Sequence, residues 1–110
     1  MKTIYQAIKD ELGNSFALLG KGKVENIIIT RRLNPDEDFD ADIAISKTFS
    51  GIHADCLYSL VASPNISESD LSISLGDRNL ILRMANQIYS SIGEEEKKLD
   101  QPNVYIGSND

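Results

Sequence analysis

Histidine and cysteine are the residues whose chemistry is easiest to recognise in a sequence, and this chain contains one of each. His53 and Cys56 lie three positions apart, a spacing that makes them neighbours on a helix and resembles a Cys-His nucleophile pair. However, Cys56 falls in the apolar stripe of a predicted helix, where a free cysteine behaves as a small hydrophobic residue and its thiol resists ionisation. We therefore predict that Cys56 belongs to the core and that His53 packs at the rim of the helix.

Clustered carboxylates are the second candidate for chemistry, because their oxygens bind hard cations. The cluster consists of Asp36, Glu37, Asp38, Asp40 and Asp42. Its spacing lacks the glycine turn and the distal glutamate of an EF-hand loop. A second acidic run covers residues 94–96. We interpret both runs as solvated helix-start or tail segments and predict no metal site and no cofactor.

Two further patterns fall short of a catalytic motif. The Gly-Lys-Gly-Lys stretch at residues 20–23 lacks the full glycine spacing of a phosphate loop, and no Ser or Thr follows its Gly-Lys pairs. Ser69, Ser72 and Ser74 have no histidine nearby in the sequence and no G-x-S-x-G elbow around them. We therefore predict that the protein is not an enzyme.

Four basic residues form a candidate patch around one predicted helix: Lys21, Lys23, Arg31 and Arg32. One interpretation is a solvated face that balances the acidic residues elsewhere. The other is a docking surface for an acidic partner or for DNA inside an assembly.

Length, net charge and cysteine content limit the classes of function that this chain can have. A chain of 110 residues is typical of a single domain. Its net charge of -6 and its pI near 4.7 argue against direct sequence-specific binding of nucleic acid, which requires a basic face. One cysteine forms no internal disulfide, and the first residues do not resemble a signal peptide. No apolar run, Ile27–Ile29 included, approaches the ~20 residues of a membrane span, so we expect an intracellular protein with no membrane role.

Hydrophobic periodicity predicts the elements of the first half. Residues 3–12 form a short amphipathic helix that ends at Gly13, and residues 14–22 form a glycine-containing loop whose apolar side chains tuck under the core. Residues 24–33 favour a helix, although the β-branched run that begins at Ile27 competes as a buried strand. Pro35 ends this element.

The clearest pattern is an apolar stripe from Asp40 to Ser63, which predicts one long helix with acidic residues at its start. The stripe contains Ile45, Phe49, Ile52, Cys56 and Leu60. Gly51, in the middle of this helix, favours a close helix crossing or a slight bend.

The last part of the chain combines two periodicities. Residues 67–77 alternate with period two, which predicts a strand that needs a pairing partner in this chain or in a neighbour. Asp77 is predicted to cap a final helix over residues 78–91, with Ile81, Met84, Ala85, Ile88 and Ile92 facing inward. We expect a helical domain over residues 1–93 and an acidic, flexible tail over residues 94–110.

The segment from Pro64 to Arg78, followed by Met84 to Tyr89, resembles small uncharacterised prophage-type proteins related to the head-tail connector, or head-completion, proteins of tailed phages. Matching positions of the short polar element before the last helix are Ser67, Glu68, Ser72 and Ser74. The resemblance implies a ring-forming, non-enzymatic subunit between portal and tail. It places the protein in the bacterial cytoplasm or on the virion.

The sequence thus predicts a mainly α fold, a bundle of about four helices with a minor β-strand or hairpin between the last two. The predicted function is a structural subunit of a phage or prophage particle that forms homo-oligomers when assembled and contacts portal and tail proteins. The predicted intersubunit element comprises Ser67, Glu68, Leu71, Ser72, Ile73, Ser74 and Leu75. The alternative function is a small intracellular protein-binding or regulatory module.

Overall fold

The computed structural model describes residues 2–62 and 75–98, and these are mainly helical. The elements are α1 (Ile4–Leu12), a 3-10 turn (Gly13–Ser15), α2 (Phe16–Leu19), α3 (Lys21–Thr30), α4 (Ala41–Ala44), α5 (Lys47–Ala62) and α6 (Leu75–Ser91). In the described ranges, four of these helices exceed two turns, and the prediction of a mainly α fold is confirmed.

The only β pairing in the described ranges is an isolated antiparallel bridge between Thr3 and Asp38. Most of the predicted strand, residues 67–74, lies outside the described residues. Helix α6 already begins at Leu75, so that residue is helical rather than extended. The prediction that Asp77 caps the last helix is wrong, because Asp77 lies inside the first turn.

The start of α1 is held by side-chain and backbone hydrogen bonds. Thr3 and Gln6 form a capping box, in which each side chain accepts from the other residue's amide, at 2.9 and 3.1 Å. The amides of the first two helical residues donate to the carbonyls of Glu37 at 2.9 Å and Pro35 at 3.0 Å. The acidic segment before α4 is therefore anchored to α1 through its backbone, while its carboxylates stay outside.

The predicted loop over residues 14–22 is wrong, because the chain there forms the 3-10 turn, α2 and the first turn of α3. Only Gly20, with φ of 83°, interrupts the helical path between α2 and α3. Phe16, Leu18 and Leu19 pack against the core, as expected for apolar side chains that tuck under it. The glycines suggested more irregular backbone than the chain adopts.

Helix α3 ends well before the proline that was expected to stop it. The Arg32 amide donates to the Ile29 carbonyl at 2.8 Å, and the Leu33 amide donates to the Ile28 carbonyl at 3.2 Å. This pair of bonds defines a Schellman motif, whose left-handed position usually carries glycine. Here Arg32 occupies it, with φ of 69°.

The single long helix predicted from residue 40 to residue 63 is wrong, because the chain breaks after α4. Asp40 caps α4, because its side chain accepts a hydrogen bond from the Ile43 amide at 2.9 Å. Ser46 then caps α5 by accepting the Phe49 amide at 3.1 Å. Ile45, which the apolar stripe placed inward, lies in the break and is 84% exposed.

Helix α5 lies at the centre of the core and packs most extensively against α6. Buried apolar residues from the long helices are Ile4, Ala7, Ile8, Leu12, Val24, Ile27, Ile28, Phe49, Ile52, Ala54, Cys56, Leu57, Leu60, Val61, Ala85 and Tyr89. On α6, the inward prediction is confirmed for Ala85 but wrong for Met84, which is 42% exposed. Tyr89 is completely buried there instead.

Candidate functional site

Arg31, directly after α3, binds two carboxylates from different parts of the chain. Its Nε and Nη2 donate to the two oxygens of Asp55 at 2.8 and 3.1 Å. Its Nη1 and Nη2 donate to the two oxygens of Glu94 at 2.6 and 2.8 Å. Only 17% of the Arg31 side chain is exposed. One planar guanidinium therefore joins α3 to α5 and to the segment that follows α6.

Tyr89 completes this Arg31 network from α6. Its hydroxyl donates to Oδ1 of Asp55 at 2.6 Å, so Asp55 accepts three hydrogen bonds in all. Burial, followed by the bond to Asp55, raises the pKa of Tyr89. The network thus brings groups from α3, α5, α6 and the segment after α6 to one place.

Arg31 and Glu94 each stabilise the charged form of the other. Hydrogen bonds to Glu94 and then to Asp55 raise the pKa of Arg31. The Arg31 hydrogen bond lowers the pKa of Glu94 below its ordinary value. Arg31 and Glu94 therefore hold each other in the ionised form, an arrangement that suits a structural clamp.

Gly51 on α5 makes room for the guanidinium of Arg31. A Cβ atom built at this position would overlap the Arg31 Nη1 and Cζ atoms and would lie 2.9 Å from Nε. The expected close approach at Gly51 thus exists, but the approaching group is an arginine side chain. Because both carboxylates hold that guanidinium, it has little freedom to move aside.

Residues 94–98, which we call the strap, lie against the helices although the sequence predicts a flexible tail from residue 94. Asn86 of α6 exchanges two hydrogen bonds with the Lys97 backbone at 2.7 and 3.0 Å. Tyr58 of α5 donates to the Lys98 carbonyl at 3.1 Å, and Ser90 bonds Glu96 at 2.8 Å. The folded domain therefore extends at least to Lys98.

The structure separates the four residues of the predicted basic patch. Lys21 lies at the start of α3, with its ammonium 5.7 Å from the Tyr5 ring centre, and Lys23 is exposed one turn further on. Arg31 and Arg32 follow the other end of this ten-residue helix, about 15 Å away at 1.5 Å per residue. Arg31 is engaged inside the molecule, so Arg32 is the exposed cation at that end.

The candidate nucleophile pair is not assembled for catalysis. Cys56 is buried, and burial raises its pKa to about 12. His53 is half-buried; its burial lowers its pKa, against a smaller opposing effect of Glu11. Within residues 2–62 and 75–98, no three His, Cys, Asp or Glu side chains form a group suited to a metal ion.

Four large apolar side chains of the described ranges are exposed: Ile29 at 57%, Ile45 at 84%, Leu80 at 49% and Met84 at 42%. Leu80 and Met84 lie one turn apart on the outer face of α6, so they are neighbours. The predicted intersubunit element immediately precedes this face, and its residues before Leu75 lie outside the described residues.

A sequence model described as a family of unknown function (DUF6706) matches residues 2–110. The chain belongs to this family. No curated protein and no solved structure matches the chain. In the described residues, no helix has the length and apolar character needed to cross a membrane.

Proposed function

We propose that this protein is a non-enzymatic structural subunit of a phage or prophage particle, a head-tail connector that forms a ring between portal and tail. The observation that carries the proposal is the exposed apolar face of α6, which directly follows the intersubunit element proposed for residues 67–75. A contact surface would then run continuously from that element along α6.

The two faces of α6 differ in what covers them. Ala85 and Tyr89 on the inner face are fully buried against the rest of the domain. Leu80 and Met84 on the outer face stay largely exposed. A single exposed apolar residue is ordinary, but two neighbours on one helix form a patch that a second subunit can cover.

A ring of identical subunits needs two different surfaces on each copy, because its contacts are head-to-tail. The α6 face supplies one. The break between α4 and α5 supplies a candidate for the other, since Ile45 is the most exposed of the large apolar side chains described. These two regions are carried by different elements, as a head-to-tail contact requires.

The intersubunit element itself would act by strand addition. Leu71 and Ile73 alternate with Ser72 and Ser74 at period two, and an extended segment of this kind can pair with a sheet edge or strand of a neighbour. Because α6 begins at Leu75, we place the end of the extended part before that residue.

Light scattering of the protein alone and mixed with the portal protein of the same particle tests this function. We expect a monomer or weak association alone and a complex of ring mass after mixing. Leu80→Asp with Met84→Asp should abolish the complex, since two charges would be buried in an apolar contact. Asn79→Asp, one position earlier on an exposed site of α6, adds a charge outside the patch and should leave assembly intact.

A protein that stays monomeric with the portal and binds a single host protein would contradict the connector proposal. That result would favour a protein-binding or regulatory module. Circular dichroism of each variant confirms that a lost complex reflects the surface and not a lost fold.

A further inference from the structure

A polar cavity of about 430 Å³ opens beside the Arg31 network, between the end of α3, the first turn of α5 and the strap. Its lining residues are Thr30, Arg31, Arg32, Thr48, Asp55 and Lys97. Three of the six are cations and Thr48 adds a hydroxyl donor, a set that suits an anion, whereas the Thr30 hydroxyl already donates to the Asn26 carbonyl at 2.8 Å.

The cations of this cavity are not all neutralised. Arg31 is paired with Asp55 and Glu94 and uses four of its five N–H groups on them. Arg32 and Lys97 form no ion pair within the described residues. The Lys97 ammonium instead lies 5.1 Å from the centre of the Tyr89 ring. Three cations face two carboxylates, which leaves a local excess of positive charge in a chain of net charge -6.

The backbone of Arg32 is an independent indication of function. Its left-handed conformation costs a non-glycine residue about 1 kcal/mol relative to glycine, and glycine is the usual residue at this point of a Schellman motif. The Arg32 side chain has no partner among the described residues that would compensate this cost. A ligand in the adjacent cavity would provide one.

We propose that this cavity binds a phosphate group, held between Arg32 and Lys97 with the Thr48 hydroxyl as a further donor. A phosphate offers more acceptor oxygens than a carboxylate does, so it can bind the Arg32 fork and the Lys97 ammonium at the same time. Because Lys97 belongs to the strap and Arg32 follows α3, the bound phosphate clamps the strap to the domain. This site is independent of the ring proposed above.

An NMR titration of the full chain with inorganic phosphate, with a simple phosphate monoester, and with chloride at matched ionic strength tests the site. We expect saturable shifts of the amides around residues 30–32, 48 and 97 with phosphate and none with chloride. Arg32→Gly and Lys97→Gln should each weaken binding at least about tenfold, or about 1.4 kcal/mol. Lys23→Gln, an exposed cation outside the cavity, should leave binding unchanged.

Arg32→Gly also separates a ligand role from a structural one. Glycine relieves the left-handed backbone, so the melting temperature without phosphate should rise, while the further rise caused by phosphate in the wild type should disappear. Binding of the monoester as well as the free ion would identify phosphorylated ligands as the source, and binding of the free ion alone would identify inorganic phosphate. Absence of saturable binding, or equal binding by the wild type and both cavity variants, would overturn the proposal.

Discussion

At the scale of single residues, Arg31 connects distant parts of the fold, because it pairs with two carboxylates and lies over the one α5 position that lacks a side chain. The network joins residues 63 positions apart in the sequence, Arg31 and Glu94. The exposed fraction of the charged side chains rises from 17% for Arg31 to 38% for Glu94, so solvent partly screens this bidentate set of bonds.

Gly51→Ala should destabilise the domain by about 1–3 kcal/mol, although alanine is the better helix former by about 1 kcal/mol. The reason is steric, since the new methyl group would displace the Arg31 guanidinium from both carboxylates. Urea unfolding of the wild type and the variant measures the difference.

A double-mutant cycle with Arg31→Met supplies the control for Gly51→Ala. Once the guanidinium is removed, the alanine should become neutral or stabilising, so the coupling energy should be about 1 kcal/mol or more. Equal destabilisation by Gly51→Ala in both backgrounds would contradict the close contact between Gly51 and Arg31.

Cys56 should react with maleimide only when the chain unfolds. The thiol is buried and its pKa is about 12, so almost no thiolate exists near neutral pH. Mass spectrometry after labelling, with and without denaturant, measures this. Rapid labelling of the folded protein would contradict both the burial and the pKa.

The sequence allowed the role of Cys56 to be predicted but not the Arg31 network. Cys56 continues an apolar stripe, a local signal that residues within a few turns can provide. Asp55 and Glu94 carry no such signal, since their partner comes from a distant element. The one available indication was Asp55, a charged residue between two apolar residues of α5. It suggests a partly buried carboxylate but does not identify Arg31 as its partner.

At the scale of elements, helices were predictable where one face is apolar, and the ends of α1 at Leu12 and of α6 at Ser91 were predicted correctly, whereas other helix ends were not. Helices α1, α3 and α6 follow their hydrophobic periodicity closely. The break before α5 was missed because Ile45 continues the apolar stripe, while the cap formed by Ser46 is a short polar signal inside it. Likewise Arg32, rather than a glycine, ends the α3 motif.

The packing of the strap against the helices was not predicted from the sequence. We expect the bond between Glu94 and Arg31 to hold the strap in place. Glu94→Gln should speed hydrogen exchange in residues 94–98 and lower the free energy of unfolding at pH 7 by less than about 1 kcal/mol, because 38% of this side chain is exposed. Glu95→Gln, on an exposed neighbour, should leave strap exchange as in the wild type.

The pH dependence of the Glu94 contribution has a definite sign. Arg31 lowers the pKa of Glu94 below its ordinary value of 4.5, so the ion pair stabilises the folded state fully above that value. Its contribution is lost as the pH falls toward the lowered pKa. The difference in unfolding free energy between wild type and Glu94→Gln should therefore shrink on acidification. A difference that grows would contradict the pairing.

At the scale of the whole molecule, the sequence predicted the fold class, because burial of one helix face produces a helical periodicity of apolar residues. The predicted connector function depends on a surface that contacts another molecule. In the structure of a single chain, such a surface can be recognised only by its exposed apolar residues. Leu80 illustrates this limit, since its exposure became visible only when the packing of α6 was known.

Labelling of Leu80→Cys tests the proposed contact most directly, because the native Cys56 is buried. In the free protein this new thiol should react rapidly. In the complex with the portal protein it should react more slowly by on the order of tenfold or more, because the proposed contact would cover the outer face of α6. Asn26→Cys, exposed on α3, should react equally fast in both states. Unchanged labelling of Leu80→Cys in a complex of ring mass would contradict the account.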